Sequence, residues 1–236
     1  IDGKKLDARK ENLVEILQRK DGKKMHLLVS PSSRKKGARE VLVKPMRTYR
    51  LSNLRYNEWV NSNADYVARK SNKRLGYVHI PSMSYASYLN FIADLDSEAY
   101  ERDGVIIDVR FNGGGHIASF ILDFLSRKQY AVSGYRNLVQ TSDANFAGDR
   151  ILNKPLILIT NEHSYSNAEM FSEGFRRLGL GRIVGRPTGG AVIWTTGIRL
   201  SDGTFFRVPR GYVHTMDGEN IERVGRPVDV YVDRPP

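Results

Sequence analysis

The sequence predicts an α/β fold in which the strands of a layered sheet alternate with helices along the chain. The segment "GVIIDVR" (104–110) is a continuous apolar run of strand length, typical of a parallel strand covered on both faces. Helix and strand patterns then alternate after it, which implies right-handed crossovers. The composition, with 40% apolar residues and 21 glycines, is that of a globular protein.

The length of 236 residues permits one large core, or a small module and a larger one. We predict two parts, residues 1–46 and 47–236. The first part begins with a strand end, continues with a helix that starts at Asp7 or Ala8 and stops at Asp21-Gly22, and closes with the strands "MHLLVS" and "EVLVKP". A unit of one helix and two strands is too small to form a core alone.

The second part opens at about residue 47 with "YRLSNLRYNEWVNSNADYVARKS", in which aromatic and aliphatic residues recur at helical intervals. It continues with strand "LGYVHIP", helix "YASYLNFIADLD", strand "GVIIDVR" and helix "HIASFILDFLSRK". Strand "LILIT", helix "NAEMFSEGFRRLG" and strand "RIVG" follow. The tail predicts a β-hairpin that turns at Asp202-Gly203 and a last strand, "VDVYVD".

Composition excludes several functional classes. The net charge of +11 is concentrated in residues 34–39 and 68–74, but neither segment has the interleaved aromatics of a nucleic-acid platform. We therefore expect a solvated basic surface and no nucleic-acid partner. No stretch approaches the roughly 20 apolar residues of a membrane helix, so we expect no membrane partner.

The chain has no cysteine, which excludes disulfides, thiolate metal sites and a cysteine nucleophile. A reducing compartment is therefore permitted, and we expect a cytoplasmic location. No cluster of His, Asp and Glu has metal-ligand spacing, so we expect neither a metal nor a cofactor. The first residues, "IDGKKLDARKE", carry neither a starting Met nor the apolar core of a secretion signal, and we expect the sequence to be a fragment.

Two strand-to-helix junctions are unusual. In open sheets, chemistry gathers where strands end and helices begin. At the first, "DVRFNGGGH" (108–116), three glycines permit positive φ and can turn amide hydrogens toward an anion. At the second, "NEHSYSNAEMF" (161–171), Ser164 and Ser166 precede a helix. The structural interpretation of Ser166 is a capping box with Glu169, worth about 1 kcal/mol; the alternative is a catalytic serine.

The residues from 47 to 236 resemble the tricorn and C-terminal processing (tail-specific) serine protease family, whose catalytic domain has a ClpP/crotonase-like sheet. The resemblance rests on five segments in order, "GYVHIPSM", "IIDVRFNGGG", "NEHSYSNAE", "VGRPTGG" and "IERVGRPVD". It implies that the nucleophile is Ser166, within a serine-x-x-glutamate step with Glu169, and not Ser164. The start of the chain, "IDGKKLDARKENLVEILQRKDGKKMHLLV", resembles the carboxyl-terminal half of a PDZ domain, so we expect residues 1–46 to be a partial PDZ-like module.

The resemblance also separates two branches of the family. Tail-specific proteases use a Ser-Lys pair, but here Ala191 stands where the lysine would be, and a methyl group cannot accept the serine proton. Tricorn-type enzymes instead use a histidine from an amino-terminal subdomain and a glutamate late in the chain. The segment "NIERVGRPVD" implies Glu222 as that glutamate, with Glu219 as the nearby rival.

None of the five histidines corresponds to the expected base. His79 lies in a strand that the family shares without a chemical role, and His26 and His214 are interpreted as strand residues. His116, next to the glycines, and His163, three residues before Ser166, are close enough to require a test, although a structural role is the favoured interpretation of both.

The function implied is hydrolysis of peptides by acyl transfer from Ser166, with Glu222 assisting the absent histidine. The amides of Asn167 and of Gly115 or Gly114 would hold the oxyanion. Asn167 stands where the tricorn branch has an aspartate, a mild change if only its backbone acts. Relatives favour a basic residue before the cut, and Asp143 is the candidate acidic partner for that residue. Relatives also form rings, which implies a homo-oligomer.

Two alternatives remain open at this stage. One is a peptide-binding or assembly module that keeps the fold without chemistry. The other is a crotonase-like acyl-CoA enzyme, in which paired loops of the same sheet stabilise an enolate, although nothing in the sequence resembles a nucleotide site. If the peptidase interpretation is right, we expect the fragment alone to be inactive or nearly so.

Overall fold

The structure, a computed structural model, describes residues 1–7, 9–31, 36–99, 101–134, 136–139, 141–142 and 151–233. The chain forms two compact units, Ile1–Ser62 and Asn63–Pro236. The division falls within the helix Thr48–Lys70, which begins two residues after residue 46. The predicted assignment of residues 1–46 to a separate, PDZ-like module stays a prediction.

The first unit contains the helix α1 (Leu13–Leu17) and an antiparallel pair, β1 (Met25–Val29) and β2 (Arg39–Val43). The prediction that the helix starts at Asp7 or Ala8 is wrong. Asp7 accepts the amide of Arg9 through its side chain at 3.1 Å, and Asn12 caps the observed helix by accepting the amide of Val14 at 2.9 Å. Short polar side chains thus bond to the local backbone and delay the helix.

The 23-residue helix α2 (Thr48–Lys70) links the units. After it the described elements are β3 (Leu75–His79), α3 (Tyr85–Ala99), β4 (Gly104–Asp108), α4 (Ala118–Ser126), β5 (Val132–Ser133), β6 (Thr141–Ser142), β7 (Leu156–Thr160), α5 (Asn167–Arg177), β8 (Gly181–Gly185), β9 (Trp194–Arg199), β10 (Phe205–Gly211) and β11 (Val230–Tyr231). Among the described residues, no helix combines the length and the hydropathy that a membrane span requires.

The central sheet of the second unit has the strand order β11-β8-β7-β4-β3, and each neighbouring pair is parallel. The predicted α/β fold is therefore confirmed. The predicted hairpin is also formed: β9 and β10 pair in an antiparallel manner, and Asp202 accepts the amide of Thr204 at 2.8 Å in the turn. The short strands β5 and β6 form a separate antiparallel pair.

The core of this unit lies between the sheet and the helices α3, α4 and α5. Central strand residues and aromatic helix residues supply its largest fully buried side chains, including Ile107, Leu158, Ile183, Phe91, Phe171 and Phe175. Strand β4 is buried along almost its whole length, as its continuous apolar run predicts. The core thereby fixes β4 and β7 side by side.

The pairing of β4 with β7 determines where the two unusual junctions lie. Asp108, the last residue of β4, is in register with Ile159, which precedes the last residue of β7. Because parallel strands end at the same edge of a sheet, the glycine-rich loop after β4 and the serine-containing loop after β7 begin side by side.

We expect Leu158→Ala to lower the free energy of unfolding by about 2–5 kcal/mol, because it removes a buried side chain and leaves a cavity. Leu158 is 0% exposed, whereas its neighbour Ile157, on the opposite face of β7, is 38% exposed. Ile157→Ala is therefore the matched control, for which we expect a smaller loss. Urea unfolding followed by circular dichroism measures both, and equal losses would contradict the assigned burial of β7.

Candidate active site

A buried asparagine shapes the loop that follows β4. Asn112 is 0% exposed, and its side chain donates to the carbonyl oxygen of Ile80 at 2.9 Å and accepts the amide of Gly114 at 2.9 Å. Its own carbonyl oxygen accepts the amide of Tyr165 at 2.8 Å. Asn112 therefore joins the glycine loop to the end of β3 on one side and to the serine loop on the other.

The glycine loop lies directly against Ser166. Gly114 has a φ of +94°, and a Cβ atom at this position would lie 2.6 Å from the Cβ of Ser166 and 3.1 Å from the amide nitrogen of Asn167. Neither the conformation nor the space permits a side chain here. Glycine at residue 114 thus lets the loop backbone approach the serine closely.

Ser166 itself adopts an uncommon backbone conformation, with φ 53° and ψ −120°. A non-glycine residue with positive φ is held there only by its surroundings, and such strain is concentrated at functional sites. The amide of Ser166 donates to the carbonyl oxygen of Ala191 and to Oε1 of Glu169, both at 3.0 Å. These bonds fix the turn from β7 into α5.

The Glu169 carboxylate connects this turn to a distant segment. It is 0% exposed and accepts four hydrogen bonds, from the amides of Ser166, Gly190 and Ala191 and from the hydroxyl of Thr188, at distances of 3.0, 2.7, 2.8 and 2.6 Å. The bond from the Ser166 amide is the returning half of the capping box that the sequence predicts. The other three bonds extend its role beyond helix capping.

The two serines of the junction have different surroundings. The hydroxyl of Ser164 is buried, donates to the carbonyl oxygen of Val109 at 2.8 Å and accepts the amide of Asn161 at 3.2 Å. It therefore binds the two loops together from inside. The side chain of Ser166 instead lines a cavity of about 620 Å³.

This cavity is bounded by both loops, the start of α4 and the start of the β9–β10 hairpin. Its lining consists of Gly113, Gly114, Gly115, His116, Ala118, Ser119, Leu122, Ser166, Asn167, Met170, Val192, Ile193, Trp194, Thr195 and Arg207. A space of this size is typical of a ligand pocket.

Backbone amides at the cavity differ in their availability. The amide of Gly114 is engaged by Asn112, whereas the amides of Gly115 and Asn167 have no acceptor among the described residues. The side chain of Asn167 accepts the amide of Ala118 at 2.8 Å and so caps the start of α4. The Gly114 amide is therefore already occupied, and the assignment of oxyanion donors to Gly115 and Asn167 stays a prediction.

Glu222 and Glu219, the two candidate glutamates, have different hydrogen-bond partners. Oε2 of Glu222 accepts the amides of Val192 and Ile193 at 2.7 and 2.8 Å, and both of these residues line the cavity. Glu219 instead pairs with Arg226 at 3.3 Å, with a side chain that is 67% exposed. Only Glu222, of these two, is bonded to the wall of the Ser166 cavity.

The histidines are also separated by their positions. His116 lines the cavity, whereas His163 stacks on Phe111 at 5.6 Å between ring centroids and is absent from the cavity lining. His79 is buried, and its Nε2 lies 2.9 Å from the carbonyl oxygen of Arg110; desolvation by burial lowers its pKa. His214 contacts Tyr212, with ring centroids 4.7 Å apart.

Two further predicted positions have simple outcomes. Residue 191 does lie beside the serine, since its carbonyl oxygen accepts the Ser166 amide, but its methyl side chain offers no base. Asp143, the predicted substrate-binding residue, lies outside the described residues. No group of three or more His, Asp or Glu side chains in the described part of the chain is arranged to hold a metal ion.

Sequence reasoning missed a buried polar cluster at the start of the glycine loop. Asp108 is 0% exposed, accepts the hydroxyl of Tyr77 at 2.7 Å and forms an ion pair with Arg110, at 2.6 Å from Nη2 to Oδ2. Burial, followed by the nearby Asp108 charge, raises the pKa of Tyr77. The D-x-R spacing at the end of β4 was the available signal, since a buried aspartate requires a partner.

Comparison with known proteins gives a consistent result. Residues 74–232 match the sequence profile of Peptidase family S41. The chain is 36% identical over 185 residues to the tricorn protease of Thermoplasma volcanium, covering 78% of this chain and 18% of that protein. It is 36% identical over 203 residues to the tricorn protease homolog of Saccharolobus solfataricus, covering 84% of this chain and 18% of that protein.

The fold is similar to the crystal structure of the tricorn protease, with a TM-score of 0.78 and 30% identity. This similarity covers 98% of the present chain and 22% of the tricorn chain. The chain thus spans about a fifth of the length of the curated relatives that it matches.

We expect Glu169→Gln to destabilise the protein. Each carboxylate oxygen of Glu169 accepts two donors, so either orientation of the amide turns its NH₂ group toward donors. Each buried donor left without an acceptor costs about 1–3 kcal/mol. Urea unfolding should show a loss of that size, whereas Glu101→Gln, at an exposed position, should change stability by less than about 0.5 kcal/mol. Equal stability of the two variants would contradict the assigned role of Glu169.

Proposed function

Because this chain belongs to peptidase family S41, we propose that it is a tricorn-like serine peptidase unit that hydrolyses peptides through Ser166. The observation that carries the proposal is the placement of Ser166 in one cavity with the amides of Gly115 and Asn167, which have no acceptor in the described part of the chain. A nucleophile and oxyanion donors at one cavity are what acyl transfer requires.

In the proposed reaction, Oγ of Ser166 attacks the carbonyl carbon of the scissile peptide bond while a base removes the hydroxyl proton. The negative charge that develops on the carbonyl oxygen is stabilised by the amides of Asn167 and Gly115, and each such donor contributes about 2.7–4 kcal/mol. The protonated base then gives its proton to the leaving amine. Water attacks the resulting acyl-enzyme in the same way and restores Ser166.

The base is proposed to be a histidine that lies outside the 236 residues. Three features support this: Ala191 occupies the position of the lysine in the other branch, His163 lies outside the cavity, and His79 is buried against Arg110. His116 does line the cavity, and its role is tested separately below. Glu222 is proposed to orient the incoming imidazole. Its Oε2 is fixed by two amides, while its Oε1 accepts no hydrogen bond from the residues that the structure describes.

Peptides are the proposed substrates and a homo-oligomer is the proposed state, both from the resemblance to the tricorn proteases. A cytoplasmic location is proposed because the chain has no cysteine. Neither nucleic acid nor a membrane is proposed as a partner, and no metal or cofactor is required by the reaction. Asp143 stays the proposed acidic partner for a basic residue before the cleaved bond.

A fluorophosphonate probe, which modifies activated serines, tests the nucleophile. We expect no labelling of the 236-residue chain, because an unactivated serine is a poor nucleophile, and labelling at Ser166 in a longer form that begins upstream of Ile1. Ser166→Ala should abolish labelling of the longer form. Ser119→Ala is the matched control, because Ser119 lines the same cavity. We expect this substitution to leave the labelling unchanged. Labelling that survives Ser166→Ala would reject the proposed nucleophile, and strong labelling of the short chain would place the base within it.

The histidines near the cavity provide a separate test in the longer form. A general base contributes about 10²–10⁴-fold to the rate, so removal of the true base must cause a loss of that size. We expect His116→Ala and His163→Ala to change kcat/KM for peptide hydrolysis by less than about tenfold. A loss of a hundredfold or more in either variant would assign the base to that histidine instead.

A further inference from the structure

The cavity that contains Ser166 also contains an arginine. Arg207, on β10, is among its lining residues, and its guanidinium donates to Oγ1 of Thr195 through Nε at 3.1 Å and through Nη2 at 2.5 Å. Thr195 lies on β9 and lines the same cavity. The hydroxyl thus binds the guanidinium of this exposed residue without neutralising its charge.

The rest of the lining does not balance this charge. Within the described part of the chain, the lining includes no Asp or Glu and no lysine; it consists of glycines, hydroxyl and amide side chains, His116, and apolar residues such as Leu122, Met170 and Trp194. Arg207 forms no ion pair with a described carboxylate. The cavity therefore combines apolar walls with a positive charge.

We propose that Arg207 makes this cavity selective for peptides that carry a carboxylate within reach of its guanidinium. The inference rests on the proposed function, in that it takes the Ser166 cavity to be the peptide site. Guanidinium groups bind carboxylates through two parallel hydrogen bonds, and only some donors of Arg207 are used by Thr195. The apolar walls suit the aliphatic part of a glutamate side chain.

This preference is opposite to the one that a basic substrate residue and Asp143 would give. Both can hold for one peptide, because the two groups would bind different residues of it. The carboxylate can belong to an acidic side chain or to the carboxyl terminus of the peptide, since Arg207 recognises the same chemical group in each. The experiment is arranged to tell the two sources apart.

The test measures binding to the 236-residue chain and does not depend on catalysis. Fluorescent peptides of one sequence carry Glu, Gln or Lys at a single position, each with a free or an amidated carboxyl terminus, and fluorescence anisotropy gives the Kd. We expect the better carboxylate peptide to bind about 10- to 100-fold more tightly than its neutral counterpart, the range expected of hydrogen bonds to a charged group. The position of the effective carboxylate identifies its source.

Variants of the hairpin assign the effect to one side chain. Arg207→Gln should reduce the preference to less than about twofold, and Arg207→Glu should favour the Lys peptide. Arg199→Gln is the control, because Arg199 lies on the same face of the hairpin, bonds to the carbonyl oxygen of Gly203 at 3.2 Å and does not line the cavity. It should keep the preference. A wild-type preference below twofold, no peptide binding, or a preference that survives Arg207→Gln would overturn the inference.

Failure of the proposed role of Arg207 and failure of the proposed function give different results. If the carboxylate preference depends on Arg207 but the longer form is not labelled at Ser166, the site binds peptides without the proposed chemistry. If labelling occurs without the preference, only the role of Arg207 is rejected.

Discussion

The buried carboxylate of Glu169 is the interaction on which the site depends. A buried negative charge is tolerated only when it is fully hydrogen-bonded, and here four donors from two segments surround it. These bonds hold Ser166 in a backbone conformation that an isolated chain would rarely adopt. They also place the segment 188–191 beside the serine. One carboxylate therefore fixes both the orientation of the candidate nucleophile and part of the wall around it.

Asn112 has the corresponding role on the glycine loop. It satisfies the Gly114 amide with its side chain and the Tyr165 amide with its carbonyl oxygen, so the two loops share hydrogen bonds as well as a sheet edge. The parallel register of β4 and β7 brings the loops close, but the polar side chains set their conformations. Asn112 and Glu169 are both 0% exposed, and a satisfied polar network inside a protein rigidifies its surroundings.

The sequence predicted the features that depend on local pattern. Alternating apolar runs identified the sheet, Asp202-Gly203 identified the hairpin, and the S-x-x-E spacing identified the bond between Ser166 and Glu169. The bonds that Glu169 accepts from Thr188 and that Glu222 accepts from Val192 join residues 19 and 30 apart, and no periodicity in the sequence predicts such contacts. The predicted start of α1, at Asp7 or Ala8, was wrong because the side chain of Asn12 caps the helix several residues later than the helical pattern of the sequence indicates.

The segment 191–195 joins the surroundings of Ser166 to Arg207. Ala191 bonds to Ser166 and Glu169, Val192 and Ile193 bond to Glu222, and Thr195 holds Arg207. Strand β9 begins only at Trp194, and the residues before it, 191–193, are held by their hydrogen bonds to Ser166, Glu169 and Glu222. A peptide anchored by Arg207 would therefore be aligned with Ser166 by a single stretch of backbone. Glu222 braces the middle of that stretch, so its two amide bonds would position the cavity wall even where the carboxylate takes no part in proton transfer.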